Sequence, residues 1–376
     1  MRILLVIRSL VIGGAERQCA ELALALAARG HEVTLCTLGA GGPLDSLLHG
    51  GGVRRVGLGH ESRLSMVRTA FRLRRLCRDW SPDVIYSFLT VANLLCACAL
   101  PRASRRRLVW GVRASWMDLP EYGWFSRAVL RTEAALASRP RLVIANSIAG
   151  VKHHVSLGFP AGSIRCLENR IDLRRFTFSA DSRNRFRDAL AIPPTRTVIA
   201  LVSRVDPIKG HDVFVRAVAR LSQDLPDAEY WCVGDGMPAL KASLIRLASD
   251  LGVSGRLRWV GDVMDMAAVY SAADVVVSAS RSEGFPNVVA EAVACGAAVV
   301  ATDVGDSARI VGPGGRCVPP GDPEALAAAI VGVLREGMRE RSAIRTEFVR
   351  RFDPDILLER HERLLTGVAE DDMTDG

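Results

Sequence analysis

No apolar run in the 376 residues approaches the ~18 that a membrane-spanning helix needs. The opening MRILLVIRSL is recharged by Arg8 too soon to act as a secretory leader and reads as a first strand. The nine cysteines are dispersed, without CxxC or metal-ligand spacing. This pattern points to reduced thiols in a cytoplasmic protein, with Cys96 and Cys98 as buried packing residues. GxGxxG is missing as well: the first strand leads into GGAERQ, and no acidic residue closes the second, which argues against a nicotinamide cofactor. No nucleic-acid-binding motif occurs, so nucleic acid is not an expected partner. Lysine is scarce. Only Lys152, Lys209 and Lys241 occur in a chain rich in arginine, and Lys209 lies in a glycine-containing loop where an ammonium would be useful.

The composition is globular, 49% hydrophobic and 24% charged, and the length suits about two domains. Strand and helix patterns alternate through both halves, which predicts an α/β protein of two doubly wound parallel-sheet domains. Charge is uneven. Residues 1–180 hold 26 Lys and Arg against 12 Asp and Glu, while the remainder holds 23 against 29, so the first half is the one expected to meet something anionic. An amphipathic helix is expected from Arg63 to Trp80, with Leu64, Val67, Phe71 and Leu76 on its apolar side and Arg68, Arg72, Arg75 and Arg78 on the other. Arg102, Arg105, Arg106 and Arg107 follow, then Trp116, Tyr122, Trp124 and Phe125. Basic helix, basic loop and aromatics together suggest an anionic membrane surface as a partner. His153 and His154 read as surface residues of a helix starting near Ser147.

The chain is organised around Val275–Thr302. Val275-Val276-Val277 reads as a buried parallel strand, Pro286 marks a helix start, Gly296 its stop, and Ala298–Ala301 the next strand. The amides of Gly284, Phe285, Asn287 and Val288 then lie at a helix N-terminus, a ready site for a phosphate. Glu283 would repel that phosphate unless it accepts hydrogen bonds from neutral hydroxyls beside it. Glu291, i+4 from Asn287, would accept from a second set. A ligand with hydroxyls on both sides of a phosphate is a nucleotide sugar.

SEGFPNVVAEA resembles the E-x7-E motif of retaining glycosyltransferases of the GT-B fold, specifically glycosyltransferase family 4 of the polysaccharide-biosynthesis type. The resemblance implies two domains facing across a cleft, with Glu283 on the donor sugar and Glu291 on the ribose. SRVDPIKGHDVFVRAV is similar to the family's diphosphate-binding loop, with Ser203 where glycine is more usual and Arg204 and Lys209 in the places of the cationic pair. Two cations beside a leaving pyrophosphate can serve in place of a metal. The implied chemistry is therefore metal-independent, without a cofactor, on a UDP- or GDP-sugar donor, and no DxD motif is placed to bind a metal.

By the same resemblance Gly234 and Asp235 form a close-approach turn, main-chain atoms around Asp262 and Val263 contact the nucleobase, and Gly14 lies under the diphosphate. Gly13, Glu16 and Arg113 are expected on the acceptor side. Asn169-Arg170-Ile171-Asp172 is similar to the family's Asn-Gly-Val-Asp, with arginine for glycine, and Arg309 stands where relatives carry glutamate.

The expected domains are 1–173 on the acceptor side and 190–351 on the donor side. Residues 352–376 are expected to form a return helix onto the first domain and an acidic tail, disordered from Ala369. A polar linker is expected from Asp181 to Pro194. The implied activity is retaining transfer of a hexosyl or N-acetylhexosaminyl unit to a glycan or lipid-linked glycan acceptor. It would take place in the cytoplasm, at the inner face of the plasma membrane. The alternatives are a phosphorylase or epimerase on the same fold, or a non-catalytic sugar-binding protein.

Overall fold

The structure, a computed structural model, describes residues 1–60, 65–113, 124–337 and 339–374, and the side chains among these except at 124–126 and 371–374. Trp116 and Tyr122, and the side chains of Trp124 and Phe125, thus lie outside the described residues, as does the expected helix start at Arg63 and Leu64. The chain divides into two compact units. One is Met1–Arg170 with Asp355–Gly376; the other is Ile171–Pro354.

In the first unit the described residues form seven strands: β1 (Arg2–Ile7), β2 (Glu32–Thr37), β3 (Val53–Gly57), β4 (Val84–Phe88), β5 (Leu108–Val112), β6 (Leu142–Ala145) and β7 (Ile164–Cys166). All pairs are parallel, in the order β3-β2-β1-β4-β5-β6-β7. The second unit has six: β8 (Val198–Val202), β9 (Glu229–Val233), β10 (Leu257–Gly261), β11 (Val275–Ser278), β12 (Ala298–Thr302) and β13 (Arg316–Val318). Again every pair is parallel, in the order β10-β9-β8-β11-β12-β13. Strands such as β1, β4, β8 and β11 read as nearly unbroken apolar runs because helices cover both faces of each sheet. In each sheet the direction of growth reverses once, between β1 and β4 and between β8 and β11. Loops diverge at the carboxyl ends of such neighbours and leave a crevice. The two diverging loops of the second sheet are the one carrying Lys209 and the one carrying Glu283.

Several segments differ from the sequence reading. The stretch expected as a linker contains a helix, Ala180–Ala189. Its polar face is a docking device. Arg183 and Arg187 each donate to Asp274 at 2.8 Å, and Arg187, fully inside, also donates to the carbonyls of Ala272 and Pro194 at 3.0 Å. Asp274 in turn accepts from the amide of Val198 at 2.8 Å, tying the helix to the start of β8. A buried, fully bonded arginine is invisible to a hydropathy reading.

The last helix, Pro354–Thr374, continues through the segment expected to be disordered. Helix Met66–Trp80 packs Thr69 and Leu73 inward, with Leu76 against the same core. Val67 and Phe71 are not on that side: they are 66% and 65% exposed, among the arginines. His154 is buried rather than on the surface. It bonds the Gly150 carbonyl at 2.8 Å and packs on Phe159, and burial pushes its pKa down to about 4. Cys98 is exposed, whereas Cys96 is packed inside. No helix among the described residues is long and apolar enough to cross a membrane.

Candidate functional site

The loop after β8 delivers Lys209. Asp206 starts a short turn, Pro207–Lys209, by accepting from the Ile208 amide at 3.2 Å. Gly210 then takes the left-handed conformation, φ 65°, and any Cβ there would overlap the carbonyl of Ala279. Only glycine lets this loop lie so close to its neighbour from β11. Next to it His211 is buried beside Trp259, and burial pushes its pKa down to about 4, so the ring is neutral.

The loop after β11 delivers Glu283 and ends at helix Asn287–Ala294. The helix starts one residue later than expected, with Pro286 as the residue before it. Phe285 is spent on packing, edge-on to Phe352 at 5.8 Å, so its amide is the part available to a ligand. A third loop, after β12, closes over this one. Gly305, φ 61°, presses on the carbonyls of Glu283 and Gly284 where no side chain fits, and the Asp306 amide donates to Gly284 at 3.0 Å.

Lys209 Nζ and Glu283 Oε1 are 2.6 Å apart, and Ser280 Oγ donates to the same oxygen at 2.7 Å. Ser280 is 2% exposed, and its carbonyl accepts from Thr302 Oγ1 at 2.6 Å. Three segments thus fix one carboxylate. With Oε1 taking these bonds, Oε2 is left to accept from a ligand hydroxyl. Glu291, buried in the helix, accepts from Tyr270 Oη at 2.7 Å. Arg204 points to a different partner: it pairs with Asp206 at 2.8 Å and is 64% exposed along its side chain. Arg281, two residues before Glu283, forks onto Asp212 at 2.9 and 2.6 Å and so anchors the loop to the start of helix His211–Asp224. Arg309 pairs with Asp306 at 2.9 Å and lies over the Phe352 ring at 5.5 Å.

The turns after β9 and β10 are tied together. The Gly234 amide donates to Gly261 at 2.8 Å, the Asp235 amide to Asp262 Oδ1 at 2.8 Å, and Lys241 Nζ holds Asp235 Oδ1 at 2.5 Å. Val263 follows, half-buried. Asn287 and Val288, also half-buried, open the helix that follows this loop, and their amides belong to its first turn.

The residues expected on the acceptor side belong to the first unit. Helix Gly14–Ala28 begins at the glycine pair, with Gly13 extended before it and the Glu16 carboxylate folded back against Gly13. Arg113, at the end of β5, is drawn inward: it donates to Asn169 Oδ1 and Tyr86 Oη, each at 3.1 Å, and lies over the Phe88 ring at 4.9 Å. Ser280, Thr302 and Tyr270 are the side chains that sequence reasoning missed. Ser280, three residues before Glu283, was the one with a usable signal.

Two family models match: residues 12–175 match "Glycosyltransferase Family 4" and residues 196–336 match "Glycosyl transferases group 1". The chain is 35% identical over 205 residues to D-inositol 3-phosphate glycosyltransferase 2 of Catenulispora acidiphila, covering 51% of this chain and 47% of that protein. It is 28% identical over 282 residues to the GDP-mannose-dependent alpha-(1-6)-phosphatidylinositol monomannoside mannosyltransferase of Mycolicibacterium smegmatis, covering 72% of each. The match thus spans about half the length, 47%, of the first of these relatives. Among solved structures, Anabaena HepE in complex with UDP and glucose superposes with a TM-score of 0.84 at 23% identity, covering 98% of this chain and 100% of that one. Sucrose-phosphate synthase from Thermosynechococcus elongatus superposes with 0.82 at 22% identity, covering 98% and 99%. The paired parallel sheets are therefore those of the GT-B fold. With both halves matched in sequence and the fold matched over nearly the whole length, the chain belongs to the family-4 glycosyltransferases.

Proposed function

We propose that this protein transfers a hexosyl or N-acetylhexosaminyl unit from a UDP- or GDP-sugar to a glycan or lipid-linked glycan acceptor, with retention of anomeric configuration. The observation that carries the reading is the shared oxygen of Glu283, held by Lys209 and Ser280 four residues before helix Asn287–Ala294. The relatives support it: one is named as GDP-mannose-dependent, and HepE was solved with UDP and glucose.

In this reading the diphosphate lies at the helix N-terminus, where amide dipoles and Lys209 neutralise the charge that builds up on the leaving phosphate. Arg204 swings from Asp206 to join them. Glu283 Oε2 accepts from a hydroxyl of the donor sugar and orients it. Glu291, with Tyr270 behind it, accepts from the ribose. The turns at Gly234–Asp235 and Asp262–Val263 hold the base. Gly13, Glu16 and Arg113 serve the acceptor. The acceptor hydroxyl attacks from the face that the phosphate leaves, and the departing phosphate oxygen takes its proton. No carboxylate nucleophile and no metal are required.

The enzyme works in the cytoplasm, against the inner face of the membrane. Val67 and Phe71, bare among Arg68, Arg72 and Arg75, support contact with an anionic lipid surface. The test is transfer from a panel of UDP- and GDP-sugars, with the product's anomeric configuration read by nuclear magnetic resonance, in the presence and absence of chelator. An inverted product, or complete loss of turnover on chelation, would sink the retaining and metal-free parts respectively.

A further inference from the structure

The final helix, Pro354–Thr374, carries a buried titratable side chain that the chemistry above does not use: His361, 4% exposed. Its Nδ1 lies 3.2 Å from the carbonyl of Leu357, which can only accept, so Nδ1 carries the proton and Nε2 is left as an acceptor. Burial, then the charge on Arg113, keeps the ring neutral, its pKa pushed down to about 3. Nε2 finds no partner among the described residues, and neither does the buried Nε–H of Arg113.

Both residues line one small chamber in the first unit, together with Gln18, Glu21 and Asn169. The chamber's volume is about 10 Å³, close to the least that admits one water. The chamber offers one donor and one acceptor, and a buried polar group left unmet is costly. A dry chamber would leave two such groups unmet. Water is the ligand of this size that can accept from the first and donate to the second.

We propose that the chamber is a binding site for one structural water, which accepts from Arg113 Nε and donates to His361 Nε2. His361 is then a positioning residue. Through this water the last helix locks the guanidinium already held by Asn169 and Tyr86, and so sets the direction of the acceptor-side cation. That last clause rests on the functional reading above; the bridge itself does not.

The test uses the whole chain with nitrogen-15 in its arginine and histidine side chains. In the wild type the Arg113 Nε–H should exchange slowly and show cross-relaxation to bound water, and His361 should titrate as the Nδ1–H tautomer. His361→Gln offers a carbonyl near the position of Nε2 and should preserve the arginine signal. His361→Phe should shift that signal and speed its exchange about tenfold, the weight of one hydrogen bond. A wild-type Arg113 Nε–H that exchanges as fast as that of exposed Arg204 overturns the proposal. So does an unshifted signal in a folded His361→Phe protein. These signals need no acceptor, so failure of the bridge is distinct from failure of the acceptor-side reading, which Arg113→Ala tests through the rate of transfer.

Discussion

The two sheets are built alike, yet the loops at their carboxyl ends carry opposite kinds of chemistry. After β8, β9 and β11 the second unit pairs half-buried cations with carboxylates: Lys209 with Glu283, Lys241 with Asp235, Arg281 with Asp212. After β5 the first unit holds Arg113 by neutral partners, an amide, a phenol and an aromatic face. Its helix Met66–Trp80 shows cations to solvent with few acids among them. A paired site holds its charges in place before a ligand arrives and can exchange one partner for a phosphate. A solvent-facing surface with an excess of cations gains by meeting any anionic surface and needs no particular geometry. Under the proposed function the second unit meets a defined small anion, and the first a broader one.

The largest break in this contrast should come from the paired site. Glu283→Ala removes the carboxylate on which Lys209 and Ser280 converge. Loss of an electrostatic group aimed at the reacting centre costs about 10²–10³ in turnover, and loss of sugar orientation adds to it, so transfer should fall below detection while the circular dichroism spectrum stays native. Near-normal turnover would count against the whole assignment. Lys209→Ala should follow at about 10²–10³, seen in turnover more than in donor binding. If it raised only the donor's Michaelis constant, the lysine would be a binding residue and nothing more.

The paired site was legible in the sequence for a physical reason. Glu283, the helix amides and Glu291 lie within one strand-loop-helix unit, so their geometry is local and shows as spacing. Lys209 was legible because the loop between β8 and the next helix is short and glycine-hinged. Thr302 and Tyr270 were not. Their contacts arise from the parallel pairing of β11 with β12 and from the packing of a helix that ends before β11, and neither leaves a spacing to read. The same rule holds for the fold. The buried central strands announced themselves as apolar runs. The edge strands β3, β7 and β13 did not, being short and half-exposed, with Arg54, Arg55, Arg165 and Arg316 within them. Helix Ala180–Ala189 was hidden by the very arginines that dock it.

The basic face is sharpened next. Reversing Arg68, Arg72 and Arg75 to glutamate removes three cations, each worth about 1 kcal/mol near an anionic bilayer. Binding to vesicles rich in phosphatidylglycerol should fall about 100-fold, read by co-sedimentation. Turnover on a soluble donor and a short acceptor should hold. Unchanged co-sedimentation would mean that this half of the comparison describes a solvated face and no partner.

The smallest effect distinguishes pairing from placement. In Ser280→Ala the ion pair between Lys209 and Glu283 survives, and only the hydroxyl that shares Oε1 is lost. A hydrogen bond to a charged group contributes about 1.5–3 kcal/mol when buried. Part of this returns because Lys209 can tighten on the freed oxygen, so turnover should drop about tenfold, with the donor's Michaelis constant little changed. Ser280→Thr, which keeps the hydroxyl, should recover most of the loss if the extra methyl is accommodated. Were Ser280→Ala silent, the ion pair alone would be enough to aim Glu283. Were it as damaging as Lys209→Ala, the carboxylate would owe its direction to the serine and the chain from Thr302 behind it, and the lysine would be left wholly to the phosphate.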